Sequence, residues 1–166
     1  MRVLSMGMFD NLEQLETLSL RRNQLKAIEE HGTFTIRHRT LRRLDLSENK
    51  LDRLGQFTFK YLASLTELDL SHNLLQGGED SLPVASLFIE KSSLERLNIS
   101  HNYLKVVEFA LLFKQEKLTH LDLGFNNITK IGQNGESPVS PWKELRNLKQ
   151  LYVHYYSHYY YYQTRL

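Results

Sequence analysis

The chain of 166 residues has no cysteine. Disulfides, thiolate metal ligands and a cysteine nucleophile are therefore excluded within it. The absence does not fix a compartment, because a cytosolic chain and the middle of a secreted repeat array can both lack cysteine. No stretch reaches the roughly 20 apolar residues that a transmembrane helix needs. The opening MRVLSMGMFDN has one positive charge but lacks the apolar run, about 7–15 residues long, of a signal peptide. Charge of one sign is not in excess either: 21 basic residues stand against 19 acidic ones, a net charge of +2. That balance gives no case for nucleic acid, and none for an anionic membrane surface. Catalytic signatures are missing as well. There is no G-x-S-x-G elbow, no H-E-x-x-H pair and no phosphate-cradling glycine loop, and Gly77-Gly78 reads only as a turn. The expectation is a chain that is not an enzyme and needs no cofactor.

What is present is a repeat. The pattern L-x-x-L-x-L-x-x-N-x-L/I occurs from Leu15 to Leu25, Leu41 to Leu51, Leu65 to Leu75, Leu94 to Leu104 and Leu118 to Ile128. A sixth copy begins at Leu148 and then fails, with Tyr156 in the asparagine position and His158 in the last apolar one. The asparagines at 23, 49, 73, 102 and 126 are spaced by 26, 24, 29 and 24 residues. The period is thus about 24, with insertions in residues 31–40, 77–93 and 132–141. A large apolar residue lies nine positions before the second template leucine at Phe9, Phe59, Phe88, Leu112 and Trp142. Another often lies five positions after the asparagine, at Ile28, Leu54, Val107 and Ile131, whereas Gly78 breaks that rule.

Each position has a physical reason. The alternating Leu-x-Leu reads as a short strand with its leucines facing inward. Identical strands one repeat apart pair in parallel, about 4.8 Å from one another. The asparagine amide can turn inward and satisfy turn backbone that would otherwise be buried unpaired. Phe9 and Phe59 fill the outer wall. No unit can bury its apolar face alone, so stability comes from stacking. KSSLERLNI and FALLFKQEK are the most helix-like stretches, and only the second is expected to form a turn or two of helix.

With these motifs, nearly the whole chain resembles the leucine-rich-repeat family. The 24-residue unit with phenylalanine in its second half is similar to the typical subclass found in Toll-like receptors and in adhesion proteins of the chaoptin and connectin type. The resemblance implies an α/β solenoid, curved, with a short parallel sheet on the concave face and an irregular or 3-10 convex side. It implies a protein-binding module, a segment of a cell-surface receptor or adhesion protein, with a protein ligand or co-receptor as partner. A cytosolic scaffold or regulatory adaptor is the alternative. Membrane association would come only through an anchor outside this chain. Extracellular members usually carry cysteine-rich caps, and this chain has none.

Leu4 and Phe9 have the same spacing as Leu54 and Phe59, so residues 1–11 read as the second half of a repeat. The expectation is an uncapped internal fragment: a repeat array over 1–154, and a low-complexity tail over 155–166 in which six of twelve residues are tyrosine. Marginal stability and self-association are expected of such a piece.

Stacking converts template positions into columns. One carries Thr17, Arg43, Glu67, Arg96, His120 and Gln150; the next but one carries Ser19, Asp45, Asp69, Asn98, Asp122 and Tyr152. Arg43, Asp45, Glu67, Asp69, Arg96, Asn98, His120 and Asp122 are the candidate partner-binding residues. The alternation of Arg43, Glu67 and Arg96 suits either a charged ligand face or mutual pairing. The aspartate column invites a cation or a basic partner, yet L-D-L-S is also ordinary strand text in this family. His72 and His101 share a position in neighbouring repeats, one repeat on from Glu48, which suggests either zinc or a pH switch. No metal site is assigned, because a straight column converges poorly. Two glycosylation sequons occur, at Asn98-Ile99-Ser100 and Asn127-Ile128-Thr129. Asn127 is expected to be exposed, whereas a glycan on Asn98 would obstruct the concave face.

Overall fold

The computed structural model describes residues 3–28, 33–54, 58–77, 93–107, 115–131, 142 and 145–153. The tyrosine-rich tail, Phe88, Leu112, most of the second and third insertions and most of FALLFKQEK lie outside the described residues.

The strands are β1 (Val3–Leu4), β2 (Thr17–Ser19), β3 (Ala27–Ile28), β4 (Arg43–Asp45), β5 (Glu67–Asp69) and β6 (Gln76–Gly77). They continue with β7 (Arg96–Asn98), β8 (Tyr103–Leu104), β9 (Val106–Val107), β10 (His120–Asp122), β11 (Lys130–Ile131) and β12 (Gln150–Tyr152). Six of them form one parallel sheet in the order β2-β4-β5-β7-β10-β12. Each strand is centred on the first leucine of the Leu-x-Leu of one template, and the register aligns Leu18, Leu44, Leu68, Leu97, Leu121 and Leu151. Both polar columns read from the sequence are therefore physical rows across the sheet. Three two-stranded parallel ladders, β1-β3, β6-β8 and β9-β11, lie past the asparagine turns. The one helical segment among the described residues is a 3-10 turn, Ile36–His38, in the first insertion. The solenoid of parallel strands expected from the repeat is the observed fold.

The core is the stacked leucines. Leu44, Leu46, Leu68, Leu70, Leu97, Ile99, Leu121 and Leu123 are all buried. Leu18 and Leu20 at β2, and Leu151 and Val153 at β12, are only partly buried, because among the described residues each of these strands has a neighbour on one side alone. Leu4 pairs in register with Ile28 and is fully buried.

The asparagines close the turns. Asn73 donates to the carbonyls of Leu46 (3.1 Å), Leu70 (3.0 Å) and Ser71 (3.2 Å), and its Oδ1 accepts the Leu51 amide at 3.0 Å. Asn49, Asn102 and Asn126 repeat that set of partners. Each amide thus joins two coils and pairs turn carbonyls that burial would otherwise leave without water.

The outer wall holds one surprise. The nine-position rule puts Thr35 in the second coil, where it finds no apolar side chain. Phe34 fills the gap, buried between Phe9 (ring centroids 6.3 Å apart) and Phe59 (6.0 Å). The first insertion has shifted the aromatic anchor by one residue while keeping the wall continuous.

Candidate binding surface

The outward residues of β2, β4, β5, β7, β10 and β12 line an open trough of about 510 Å³. All eight candidate residues lie along it. Four carboxylates (Asp45, Glu67, Asp69 and Asp122) face two guanidiniums (Arg43 and Arg96), so the trough is acidic at neutral pH.

The side chains are not equally available. Arg43 pairs with Glu67 across the strands at 3.1 Å. Arg96, which the alternation placed next, makes no ion pair among the described residues and is exposed. His120 lies beside it, and its pKa is lowered by burial and by the charges of Arg96 and Lys149. Its ring nitrogen sits 2.7 Å from the Thr119 hydroxyl.

The aspartate column does structural duty that its sequence did not advertise. Asp45 Oδ1 accepts the Ser47 amide at 2.9 Å and the Ser47 hydroxyl at 2.6 Å. Asp69 Oδ1 accepts the Ser71 amide at 2.8 Å, and Asp122 Oδ1 accepts that of Gly124 at 2.9 Å. These are side-chain turns that cap the strand end two residues on. Asn98 plays the same part for Ser100, through its amide (3.0 Å) and hydroxyl (2.8 Å), while donating to Asp69 at 3.3 Å. The D-x-S spacing was the signal that could have revealed this role.

A third column lies just before the asparagines. Arg22, Glu48, His72, His101 and Phe125 all have left-handed backbone, with φ between 52° and 56°. Such a conformation costs an L-residue about 1–2 kcal/mol. It is held here by cross-coil bonds, for example from the Glu48 amide to Ser71 O (3.0 Å) and from the His72 amide to Ser100 O (3.0 Å). Glu48 accepts from both Arg21 and Arg22, which pulls its pKa down to about 2. His72 stacks on His101 with ring centroids 4.0 Å apart, and His101 stacks on Phe125 at 4.1 Å. Parallel rings do not converge on one ion, and among the described residues no group of three or more His, Asp or Glu side chains is placed to hold a metal.

The sequons differ. Asn127 and Thr129 are exposed, whereas Ser100 is buried and bonded to Asn98.

These features define a repeat solenoid with an open, polar concave face. Comparison with known families agrees: Leucine rich repeat families match residues 39–82 and 114–132. The chain belongs to the leucine-rich-repeat family. Tsukushi of Xenopus tropicalis is 38% identical over 125 residues, covering 74% of this chain and 34% of that protein. Keratocan of Mus musculus is 33% identical over 71% of this chain and 31% of that protein. Adenylate cyclase of Schizosaccharomyces pombe is 34% identical over 71% of this chain, but only 6% of the cyclase is covered. The chain thus spans about a third or less of these relatives. Among solved structures, the ectodomain of the receptor kinase SOBIR1 from Arabidopsis thaliana superposes with a TM-score of 0.53 at 24% identity, covering 76% of this chain and 64% of that one. The TLR13–ssRNA13 complex gives 0.59 at 23% identity, over 92% and 24% of the two chains. At those identities the two structures speak for the fold.

Proposed function

We propose that this chain is a protein-binding segment of a cell-surface receptor or adhesion protein, and that the concave trough is its contact face. The observation that carries this reading is the trough itself: six strands present an ordered field of four carboxylates and two guanidiniums, open along its length. Fixed charges on a rigid sheet give specificity and register to a partner, and the surplus of acid favours one with basic side chains. An open trough does not exclude water as an acid–base or nucleophilic site requires, so the role proposed is recognition rather than catalysis. The sequence similarity to Tsukushi and Keratocan favours an extracellular setting. Although one structural neighbour is titled as an RNA complex, the acidic trough here argues for a protein ligand.

The test is a screen of the chain against displayed extracellular proteins, followed by charge reversal in the trough. Arg96→Glu with Glu67→Lys should weaken any partner found by at least about tenfold, roughly 1.4 kcal/mol, with the circular dichroism unchanged. Unaltered affinity would remove the trough from the contact.

Asn127 is the residue we assign as the glycan acceptor if the chain is secreted, and Asn98 is not, since its amide and its serine are both engaged. On secretion from animal cells, Asn127→Gln should abolish a glycosidase-sensitive mass shift that Asn98→Gln leaves intact.

A further inference from the structure

We propose that the stacked pair His72–His101 is a second binding site, outside the trough, that takes a carboxylate from an acidic segment of a partner protein when the pH falls. The geometry starts from the backbone. Both residues are fixed in the left-handed region, and their amides are bonded across to Ser100 O and Gly124 O. The column therefore cannot slide. The rings lie 12° from parallel with centroids 4.0 Å apart, so their edges stand side by side. Neither ring has a hydrogen-bond partner among the described residues.

The two imidazoles form an aromatic stack. In acid, protonation would place two like charges at stacking distance, and something must offset them. The groups around the pair do not suffice. On the His72 side the column continues to Glu48, whose carboxylate is taken up by Arg21 and Arg22. Asp69, on the adjoining strand, accepts from Ser71 and Asn98. Asp122 favours the charged form of His101, but its Oδ1 is already committed to Gly124, and burial together with His72 prevails in lowering the His101 pKa. An external carboxylate, with two oxygens for two ring N–H donors, supplies the missing charge.

The surroundings select a protein segment over a polyanion. Residues 71–77, 99–104 and 123–129 contain no lysine or arginine. A nucleic acid or sulfated glycan would want several cations in a row. Instead the edge offers exposed Leu74, Tyr103 and Phe125, which suit apolar residues flanking an aspartate or glutamate.

The test uses the full chain and a fluorescein-labelled tetraglutamate peptide, with anisotropy read at pH 7.5 and 5.5 in constant salt. Glutamate is still largely ionised at the lower value. Binding should tighten by about tenfold or more on acidification, the equivalent of one unit of pKa linkage. His101→Phe keeps an aromatic plane in the stack and should erase that pH dependence, with the circular dichroism unchanged. His72→Phe should do the same. Arg96→Ala, in the trough, should leave it intact, which separates this site from the concave-face reading. A pH-independent affinity, or an acid response that survives in both phenylalanine variants, overturns the proposal. Inorganic phosphate competing as well as the peptide does so too, because the site would then read any oxyanion.

Discussion

The coils carrying β4, β5 and β7 and the coil carrying β2 follow one template yet live in different environments. In the first group the inward residues, such as Leu44, Leu70 and Ile99, are buried, and each asparagine makes four hydrogen bonds. In the coil of β2, Leu18 and Leu20 are only partly buried, and among the described residues Asn23 donates to Leu20 O (3.0 Å) and Arg21 O (3.3 Å). The same letters therefore carry different energies. A template residue is worth what its neighbouring coils bury and bond, which is the meaning of a one-dimensional fold.

The sharpest way to break this comparison is in the leucines. Leu70→Ala should cost about 2–5 kcal/mol in denaturant unfolding, as a fully buried truncation does, and Leu20→Ala less than half of that. Equal costs would mean that the template sets stability regardless of neighbours. Next come the asparagines. Asn73→Ala orphans the buried Leu51 amide and should cost about 1–3 kcal/mol. Asn23→Ala, which loses the donations to Leu20 O and Arg21 O of its own turn, should cost less, under about 1 kcal/mol by the same measurement.

A smaller effect separates two members of the left-handed column by pH. Glu48 has a depressed folded pKa, so its contribution is full above the ordinary carboxylate value and is lost as pH falls toward about 2. His101 is also lowered, which favours its neutral form in the folded chain. Its contribution is thus present above about pH 6.5 and lost as the pH drops below that value. Thermal melts should show two separate losses on acidification; Glu48→Gln should remove the lower one and His101→Phe the upper. Smallest of all is the exposed Arg43–Glu67 pair, for which a double-mutant cycle should give under about 1 kcal/mol and less in high salt.

Much of this was legible in the sequence because stacking turns a spacing into a place. Leu-x-Leu gave the strands, the asparagine spacing gave the register, and the trough columns follow directly from both. Three things were not legible. The left-handed column holds Arg, Glu, His, His and Phe, which share no preference for positive φ. That conformation is imposed by the turn and its cross-coil bonds. The aspartates looked like ligands because their side chains face outward, but local backbone amides claim them first. Phe34 was missed because an insertion moves an anchor off its fixed offset while leaving the space it fills unchanged.

The central claim is that neighbours, not the template, hold each coil. Residue-resolved amide hydrogen exchange tests it most directly. The Leu51 and Leu75 amides, bonded to the side chains of Asn73 and Asn102, and the Leu70 amide, bonded to Asn98 O, should be the slowest. Protection should decline from there toward β2 and β12. Protection that is uniform along the sheet, or highest at Leu20 and Arg22, would contradict the account.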